Sequence, residues 1–256
     1  MKIWVLLVLC VVQGLTEFLP VSSSGHLLLF ENIFGIENNL LLLNLFLHLS
    51  TLVAVLIYYR QKVIEIIKKP FQPISYKLTL STVVTVIMAL AYEMLDLDKV
   101  LNKFYGYFFI VTAVILAVTH YFQKKSVRLS VGEVSYKNAM LIGFVQGIAI
   151  LPGISRSGST ISALVLSGND EGKSAEYSFL MSIPIIIGGF VLELFKVDSF
   201  DNLFYGFPPI MFFVAFALTF LVSLLALKLT EKFLKKNKFI YFAIYLVVIG
   251  IMAILI

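Results

Sequence analysis

Six long apolar stretches dominate the sequence, and each is long enough to cross a lipid bilayer as an α-helix. A helix needs about 20 predominantly apolar residues to span the hydrocarbon core. Only 14% of the 256 residues are charged, whereas a soluble domain carries roughly 25%. The sequence therefore predicts an all-α polytopic membrane protein with a single domain, residues 1–256. The predicted crossings are 40–59, 77–95, 104–122, 177–195, 207–229 and 238–256.

Two further apolar regions, residues 4–30 and 139–168, are interrupted by clusters of Pro, Gly and Ser. Apolar runs of about 10–14 residues suit re-entrant segments better than full crossings. Non-helical backbone at membrane depth is tolerated only where it is buried in protein or lines a cavity. We therefore predict two re-entrant helix–loop–helix hairpins whose polar tips lie inside the membrane.

Lys and Arg are concentrated in the loops 60–77, 123–138 and 228–238, which hold 14 of the 20 cations but 3 of the 15 acids. Such loops are typically cytoplasmic, so both termini are predicted to lie outside and 123–138 to be a cytoplasmic linker. The net charge of +5 thus indicates orientation in a membrane and not nucleic-acid binding.

An internal repeat relates the two halves of the sequence. VQGLTEFLPVSSSG at 12–25 aligns without a gap with VQGIAILPGISRSG at 145–158, and six of the 14 positions are identical. The first repeat, 1–122, and the second, 139–256, would each contain one hairpin and three crossings. Because three is odd, the halves would have opposite orientations.

Inverted repeats place a shared site near the membrane midplane, where interrupted helices meet. We therefore predict that the polar cluster at 22–26 faces its counterpart at 155–160. His48, within a predicted crossing, is interpreted as a packing or hydrogen-bonding residue.

The two polar clusters carry complementary chemistry. Arg156 presents a planar fork suited to phosphate oxygens. Ser23 and His26 could act as a nucleophile and its base, and Glu17 could hold a divalent cation or orient His26. Backbone N–H groups at the helix starts add donors for an anion. The combination indicates phosphate chemistry at a membrane, although serines and glycines in membrane helices also serve close packing alone.

At these residues the sequence resembles the undecaprenyl-diphosphate phosphatase family of the bacitracin-resistance type. The first signature stands here as Gln13-Gly-Leu-Thr-Glu17 and continues through FLPVSSSGH to His26. The second, PGxSRSxxT, is complete from Pro152 to Thr160, and AEYSFLMSIP at 175–184 is similar to a further family segment. Gln13 occupies a position that is often Glu in the family, so a metal site with two carboxylates would lack one of them here.

The resemblance implies an enzyme that hydrolyses undecaprenyl diphosphate to undecaprenyl phosphate and phosphate, recycling the lipid carrier for peptidoglycan synthesis. It implies a bacterial inner membrane location, an active site open toward the periplasmic or outer face, and a divalent cation, Mg²⁺ or Ca²⁺. The sequence does not set the oligomeric state, and a homodimer is compatible with it.

Carried over to this chain, the resemblance makes Ser23 the nucleophile, with Ser22 as the next candidate, and His26 the general base. Arg156 would bind the pyrophosphate and stabilise the transition state, and Glu17 with Gln13 would hold the metal. The residues expected to contact the substrate are Gln13, Ser22, Ser24, Gly25, Gly153, Ser155, Ser157, Gly158 and Thr160.

Two alternatives stay open from the residues. Phosphoryl transfer depends chiefly on positioning and charge stabilisation, so Ser23 could form a phosphoserine or His26 could activate water directly. The near-symmetry of the halves is also typical of transporters, so an isoprenyl-phosphate flippase using the same site is the competing function. Anion binding alone needs no pairing of a nucleophile with a base, which favours the hydrolase.

Overall fold

The computed structural model describes residues 2–36, 40–123, 134–195 and 208–256, and the regular structure within these ranges is helical. The predicted all-α class is confirmed. Residues 124–133, which make up most of the predicted linker, lie outside the described residues. The α-helices are α1 (Ile3–Thr16), α2 (Ser23–Ile33), α3 (Leu41–Tyr58), α4 (Arg60–Lys68), α5 (Pro73–Met94), α6 (Leu97–Leu101), α7 (Tyr105–Gln123), α8 (Tyr136–Ile148), α9 (Arg156–Leu166), α10 (Glu171–Phe195), α11 (Ile210–Lys235) and α12 (Phe239–Leu255), with a 3-10 helix at Asn102–Phe104.

Helices occupy all six predicted crossings, but they differ in how well they fit a bilayer. Within the described ranges, four helices are long and apolar enough to cross a membrane. They correspond to α5, α7, α10 and α11. The first predicted crossing forms α3, after which the chain bends by 81° into α4, and this bent pair would make a fifth span. The last forms α12, a shorter apolar helix of 17 residues. The chain is therefore a multi-pass membrane protein.

Each of the two interrupted regions folds as a helix, a turn and a second helix, and the same type of residue begins the second helix in both. Ser22 is the N-cap of α2, and its hydroxyl accepts a hydrogen bond from Gly25 N at 3.4 Å. Ser155 is the N-cap of α9, and its hydroxyl accepts one from Gly158 N at 3.0 Å. A serine cap satisfies a backbone donor that the first helical turn would otherwise leave unpaired.

The tips of the two hairpins touch. Gly153 N donates to the Ser22 hydroxyl at 3.1 Å, across 131 residues of chain. A Cβ added at Gly25 would lie 2.8 Å from Gly153 Cα, so only glycine allows this approach. Thr112 of α7 holds the second tip, because its hydroxyl donates to Gly153 O and accepts from Ser155 N, both at 3.0 Å. The predicted meeting of the two clusters is observed at these contacts.

The first helix of each hairpin packs on a long helix from the other half of the chain. At Gly14 of α1, a Cβ would lie 2.9 Å from the carbonyl oxygen of Thr219 in α11. Gly147 of α8 is the equivalent position in the sequence repeat, and it lies against Met88 of α5. Each hairpin therefore packs closely against a long helix of the other half, and this contact fixes its position relative to that helix.

Candidate active site

A cavity of about 640 Å³ lies where the two tips meet and extends between α5 and α10. Its polar wall includes Glu17, Ser23, His48 and Arg156. The remaining wall is mainly apolar. Its residues along α5 and α10 include Val86, Ala89, Leu90, Pro184, Ile185, Ile186, Gly188, Gly189, Phe190 and Leu192.

The carboxylate of Glu17 is the centre of the polar wall. Arg156 Nη2 donates to Glu17 Oε1 at 2.6 Å. Ser23 Oγ donates to Glu17 Oε2, also at 2.6 Å, and Gln13 Nε2 donates to the same oxygen at 3.1 Å. The cation comes from the second hairpin and the other groups from the first, so the pairing exists only when both tips are in place.

The charges of this group are buried and mutually compensated. The side chains of Glu17 and Arg156 are 7% and 17% exposed, and a buried charge without a partner would cost several kcal/mol. Arg156 also has donor capacity to spare, because its Nη1 is buried without a hydrogen-bond partner.

The backbone around Ser23 is constrained by its neighbour. Ser22 has φ of +69°, a region that a residue with a side chain enters only at a cost. Its hydroxyl accepts hydrogen bonds from Gly153 and Gly25, and these bonds hold the unusual turn in place. Ser22 is therefore committed to the turn, which favours Ser23 over Ser22 as the nucleophile.

His26 is held away from the cavity. Its Nδ1 donates to the backbone oxygen of Ser22 at 2.7 Å, and its Nε2 accepts from the Tyr245 hydroxyl at 2.8 Å. The ring is 1% exposed and stacks on Tyr245. Neither nitrogen is available to the proton of Ser23 in this conformation. The general-base role of His26 stays a prediction, and Glu17 is the group that accepts the Ser23 hydrogen bond.

The residues predicted to contact substrate divide into two groups. Ser22, Ser24 and Ser155 line the cavity. The others do not line it, and their contacts join the tips to each other or to neighbouring helices. Ser157 donates to the carbonyl of Leu19 at 3.1 Å, and Thr160 Oγ1 lies 2.6 Å from Ser178 Oγ. Those that do not line the cavity are Gln13, Gly25, Gly153, Ser157, Gly158 and Thr160.

His48 is a site residue that the sequence interpretation missed. It lines the cavity, and its Nε2 lies 3.7 Å from Glu17 Oε2. The hydrogen bond expected of it exists, from Nδ1 to the backbone oxygen of Asn44 at 2.7 Å, but the other nitrogen faces the site. A rule that could have found it is that an ionisable side chain inside a membrane crossing is functional by default.

The divalent cation expected from the sequence would have Glu17 as its carboxylate ligand. Mg²⁺ is commonly held by one or two carboxylates together with substrate phosphates and water. Within the described ranges no group of three or more His, Cys, Asp or Glu could hold a metal by itself. The amide oxygen of Gln13 is buried without a hydrogen-bond partner, and it belongs to the side chain that contacts Glu17.

Comparison with known proteins shows one family over almost the whole chain. The family described as bacitracin resistance protein BacA matches residues 6–252. A protein of Carboxydothermus hydrogenoformans named undecaprenyl-diphosphatase is 38% identical over 246 residues, covering 96% of this chain and 94% of its own. Proteins with the same name from Halothermothrix orenii and Christiangramia forsetii are 36% and 37% identical, and each match covers 100% of this chain and 98% of the relative.

Proposed function

The chain belongs to the bacitracin resistance protein BacA family, and on that basis we propose that it is an integral membrane undecaprenyl-diphosphatase. It hydrolyses undecaprenyl diphosphate to undecaprenyl phosphate and inorganic phosphate, which returns the lipid carrier to peptidoglycan synthesis. The names of its relatives support a hydrolase and lend no support to the flippase alternative.

One observation carries the proposal: a serine hydroxyl, a carboxylate and a guanidinium are linked by two hydrogen bonds of 2.6 Å at the wall of a cavity. Ser23 donates to Glu17, so the carboxylate is placed to take the proton as the hydroxyl becomes a nucleophile. Arg156 brings a fixed positive charge to the place where a phosphate would bind.

The reaction follows from these positions. Ser23 Oγ attacks the terminal phosphorus, its proton passes to the Glu17 carboxylate, and the bond from that phosphorus to the bridging oxygen breaks. Undecaprenyl phosphate leaves with the bridging oxygen. Water then attacks the phosphorus of the phosphoserine and the bond from Ser23 Oγ to phosphorus breaks. Glu17 returns its proton to Ser23 Oγ, and both protons of the water leave on inorganic phosphate. Direct attack by water is the competing route, and it would leave Ser23 unmodified.

Arg156 stabilises the charge that builds up on the phosphoryl oxygens. Arg156 lines the cavity, so its guanidinium can reach a bound phosphate. As Nη2 shifts to the substrate, Glu17 becomes a stronger proton acceptor. Donors placed at developing charge commonly contribute the largest share of catalysis.

A divalent cation, Mg²⁺ or Ca²⁺, completes the proposal. Glu17 and the amide oxygen of Gln13 would hold it together with diphosphate oxygens. When bound, it supplies positive charge that neutralises the diphosphate. With Gln in place of a second carboxylate, we expect weak binding of Mg²⁺ in the absence of substrate.

We also propose that the lipid substrate enters the cavity from the outer side. The basic loop 60–77 precedes α5, whereas the cavity-lining residues of α5 run from Thr85 toward the other end of the helix. On α10 they run from Ser182 to Leu192, again far from the helix start at Glu171. If the basic loop is cytoplasmic, the cavity lies in the outer half of the membrane, and its apolar wall suits an isoprenoid chain.

In each half, the first helix of the hairpin packs on a helix of the other half, and this symmetrical packing supports the inverted repeat. Equivalent glycines of α1 and α8 pack on α11 and α5, which are the second crossings of the two halves. Opposite entry of the two hairpins into the membrane is part of this proposal. A homodimer stays a prediction.

The test is phosphate release from undecaprenyl diphosphate by detergent-purified protein, with Mg²⁺ and with EDTA. We expect metal-dependent release by the wild type and its loss in Ser23→Ala and Arg156→Ala. Ser167→Ala and Arg60→Ala are matched controls, because both side chains bond to nearby backbone and neither lines the cavity. Absence of release by folded wild type would overturn the proposed function.

A further inference from the structure

The two nitrogen atoms of His48 have different roles. Nδ1 lies 2.7 Å from the backbone oxygen of Asn44. Because a carbonyl oxygen only accepts hydrogen bonds, Nδ1 carries the proton. In the neutral ring, Nε2 then holds an unshared electron pair. This atom faces Glu17 Oε2 at 3.7 Å.

Two electron-rich atoms therefore face each other at the wall of the cavity. A cation between them would make this arrangement favourable. The separation suits one, because metal–nitrogen and metal–oxygen bonds of about 2.1 Å each can reach across it. The opposite carboxylate oxygen, Oε1, is the one that pairs with Arg156, so the guanidinium does not occupy this gap.

The surroundings of His48 are those of a metal ligand. A coordinating imidazole usually donates its other N–H to a carbonyl or carboxylate, which fixes the tautomer and the ring orientation. The bond from Nδ1 to Asn44 does this here.

We propose that His48 Nε2 is a direct ligand of the divalent cation, together with Glu17 Oε2. A nitrogen ligand changes which metals bind well. Ca²⁺ takes oxygen ligands, whereas imidazole suits transition metals. This chain should therefore bind Mn²⁺ in preference to Ca²⁺, and His48 should be the cause of that preference.

His48 is the only one of the three histidines with a ring nitrogen facing a carboxylate in the cavity. Both nitrogens of His26 are engaged by Ser22 and Tyr245. His120 pairs with Asn237 at 3.0 Å and does not line the cavity. A nitrogen signal from bound metal can therefore be assigned to one residue, and His120→Gln is the matched control.

The inference rests on the proposed function, but its test requires no turnover. Full-length protein in detergent, with any polyhistidine tag removed, is loaded with Mn²⁺ in the absence and in the presence of inorganic pyrophosphate. Pulsed electron paramagnetic resonance then detects ¹⁴N coordinated to Mn²⁺. The same measurement on wild type labelled with ¹⁵N-histidine identifies the ligand without any substitution.

We expect a ¹⁴N coupling in the wild type that changes to the ¹⁵N pattern on labelling. It should be absent in His48→Gln and retained in His120→Gln. His48→Gln should weaken Mn²⁺ binding by about tenfold or more, while Ca²⁺ binding changes by less than about twofold.

Bound Mn²⁺ without nitrogen coupling, coupling that survives in His48→Gln, or no Mn²⁺ binding even with pyrophosphate would each overturn the inference. The first of these results would leave His48 as a hydrogen-bonding residue of the cavity. Phosphate release by the same preparation keeps the two claims apart. Release without nitrogen coupling refutes only the His48 ligand, whereas coupling without release refutes only the phosphatase.

Discussion

Gly25→Ala tests whether the two hairpin tips meet as closely as the structure indicates. A Cβ at this position would lie 2.7 Å from Phe109 Cζ and 2.8 Å from both N and Cα of Gly153. Carbon atoms in favourable contact are about 3.5–4.0 Å apart. The added methyl group therefore overlaps its neighbours by roughly 1 Å, and the Gly153 neighbours are backbone atoms that cannot rotate away.

Overpacking of a tight core costs about 1–3 kcal/mol, and the backbone contacts place this substitution at the upper end. For a chain of this size, about 3 kcal/mol corresponds to a fall in Tm of roughly 6–12 °C. Activity should fall further than the loss of folded protein explains, because separation of the tips moves Ser23 away from Arg156.

The assay is thermal unfolding in detergent, with phosphate release measured well below both melting temperatures. Gly188→Ala is the control for melting temperature alone, because Gly188 lines the cavity and no atom beyond its own stretch of helix lies within 4 Å of a Cβ built there. Alanine is favoured over glycine inside a helix by about 1 kcal/mol, so its Tm should stay the same or rise. A Gly25→Ala protein with the Tm and activity of the wild type would refute the close contact of the tips.

Three further substitutions test separate parts of the site. Glu17→Gln leaves the Arg156 guanidinium buried without an anion. We therefore expect the unfolding free energy to fall by about 3–5 kcal/mol and activity to be lost. An unchanged Tm would contradict the buried ion pair. Tyr245→Phe removes the hydroxyl that donates to His26 and should cost about 1 kcal/mol while phosphate release persists; inactivity as complete as that of Ser23→Ala would show that His26 acts directly. Thr112→Val should lower the unfolding free energy by about 2–6 kcal/mol, because two buried backbone groups lose their partner. Thr119→Val in the same helix should be nearly neutral. Equal melting temperatures of the two variants would refute the role of the Thr112 hydroxyl.

The crossings were predictable because long apolar runs leave few alternatives in a bilayer, and helices occupy all six. Hydropathy does not predict where the chain bends between one helix and the next. The 81° bend after Tyr58 and the separate helix α4 within the basic loop 60–77 were therefore missed. Both depend on where the chain turns, which apolar content alone does not determine.

The meeting of Glu17, Ser23 and Arg156 was predictable in part, because charged and polar side chains inside a membrane need partners. The histidine was harder to assign. His26 is close to Ser23 in sequence, yet its ring bonds to the carbonyl of Ser22 and to a tyrosine of the last helix. His48 lies 25 residues from Ser23, and only the packing of α3 against the first hairpin brings it to Glu17.

The most direct test of the account is whether Ser23 carries the phosphoryl group during turnover. Wild-type protein would be mixed with undecaprenyl diphosphate and Mg²⁺, quenched in acid within the first turnover and analysed by peptide mass spectrometry, with Arg156→Ala in parallel. We predict phosphate on Ser23 in the wild type and none in the variant. Release of a full equivalent of phosphate while Ser23 remains unmodified at every quench time would contradict the account and establish direct attack by water.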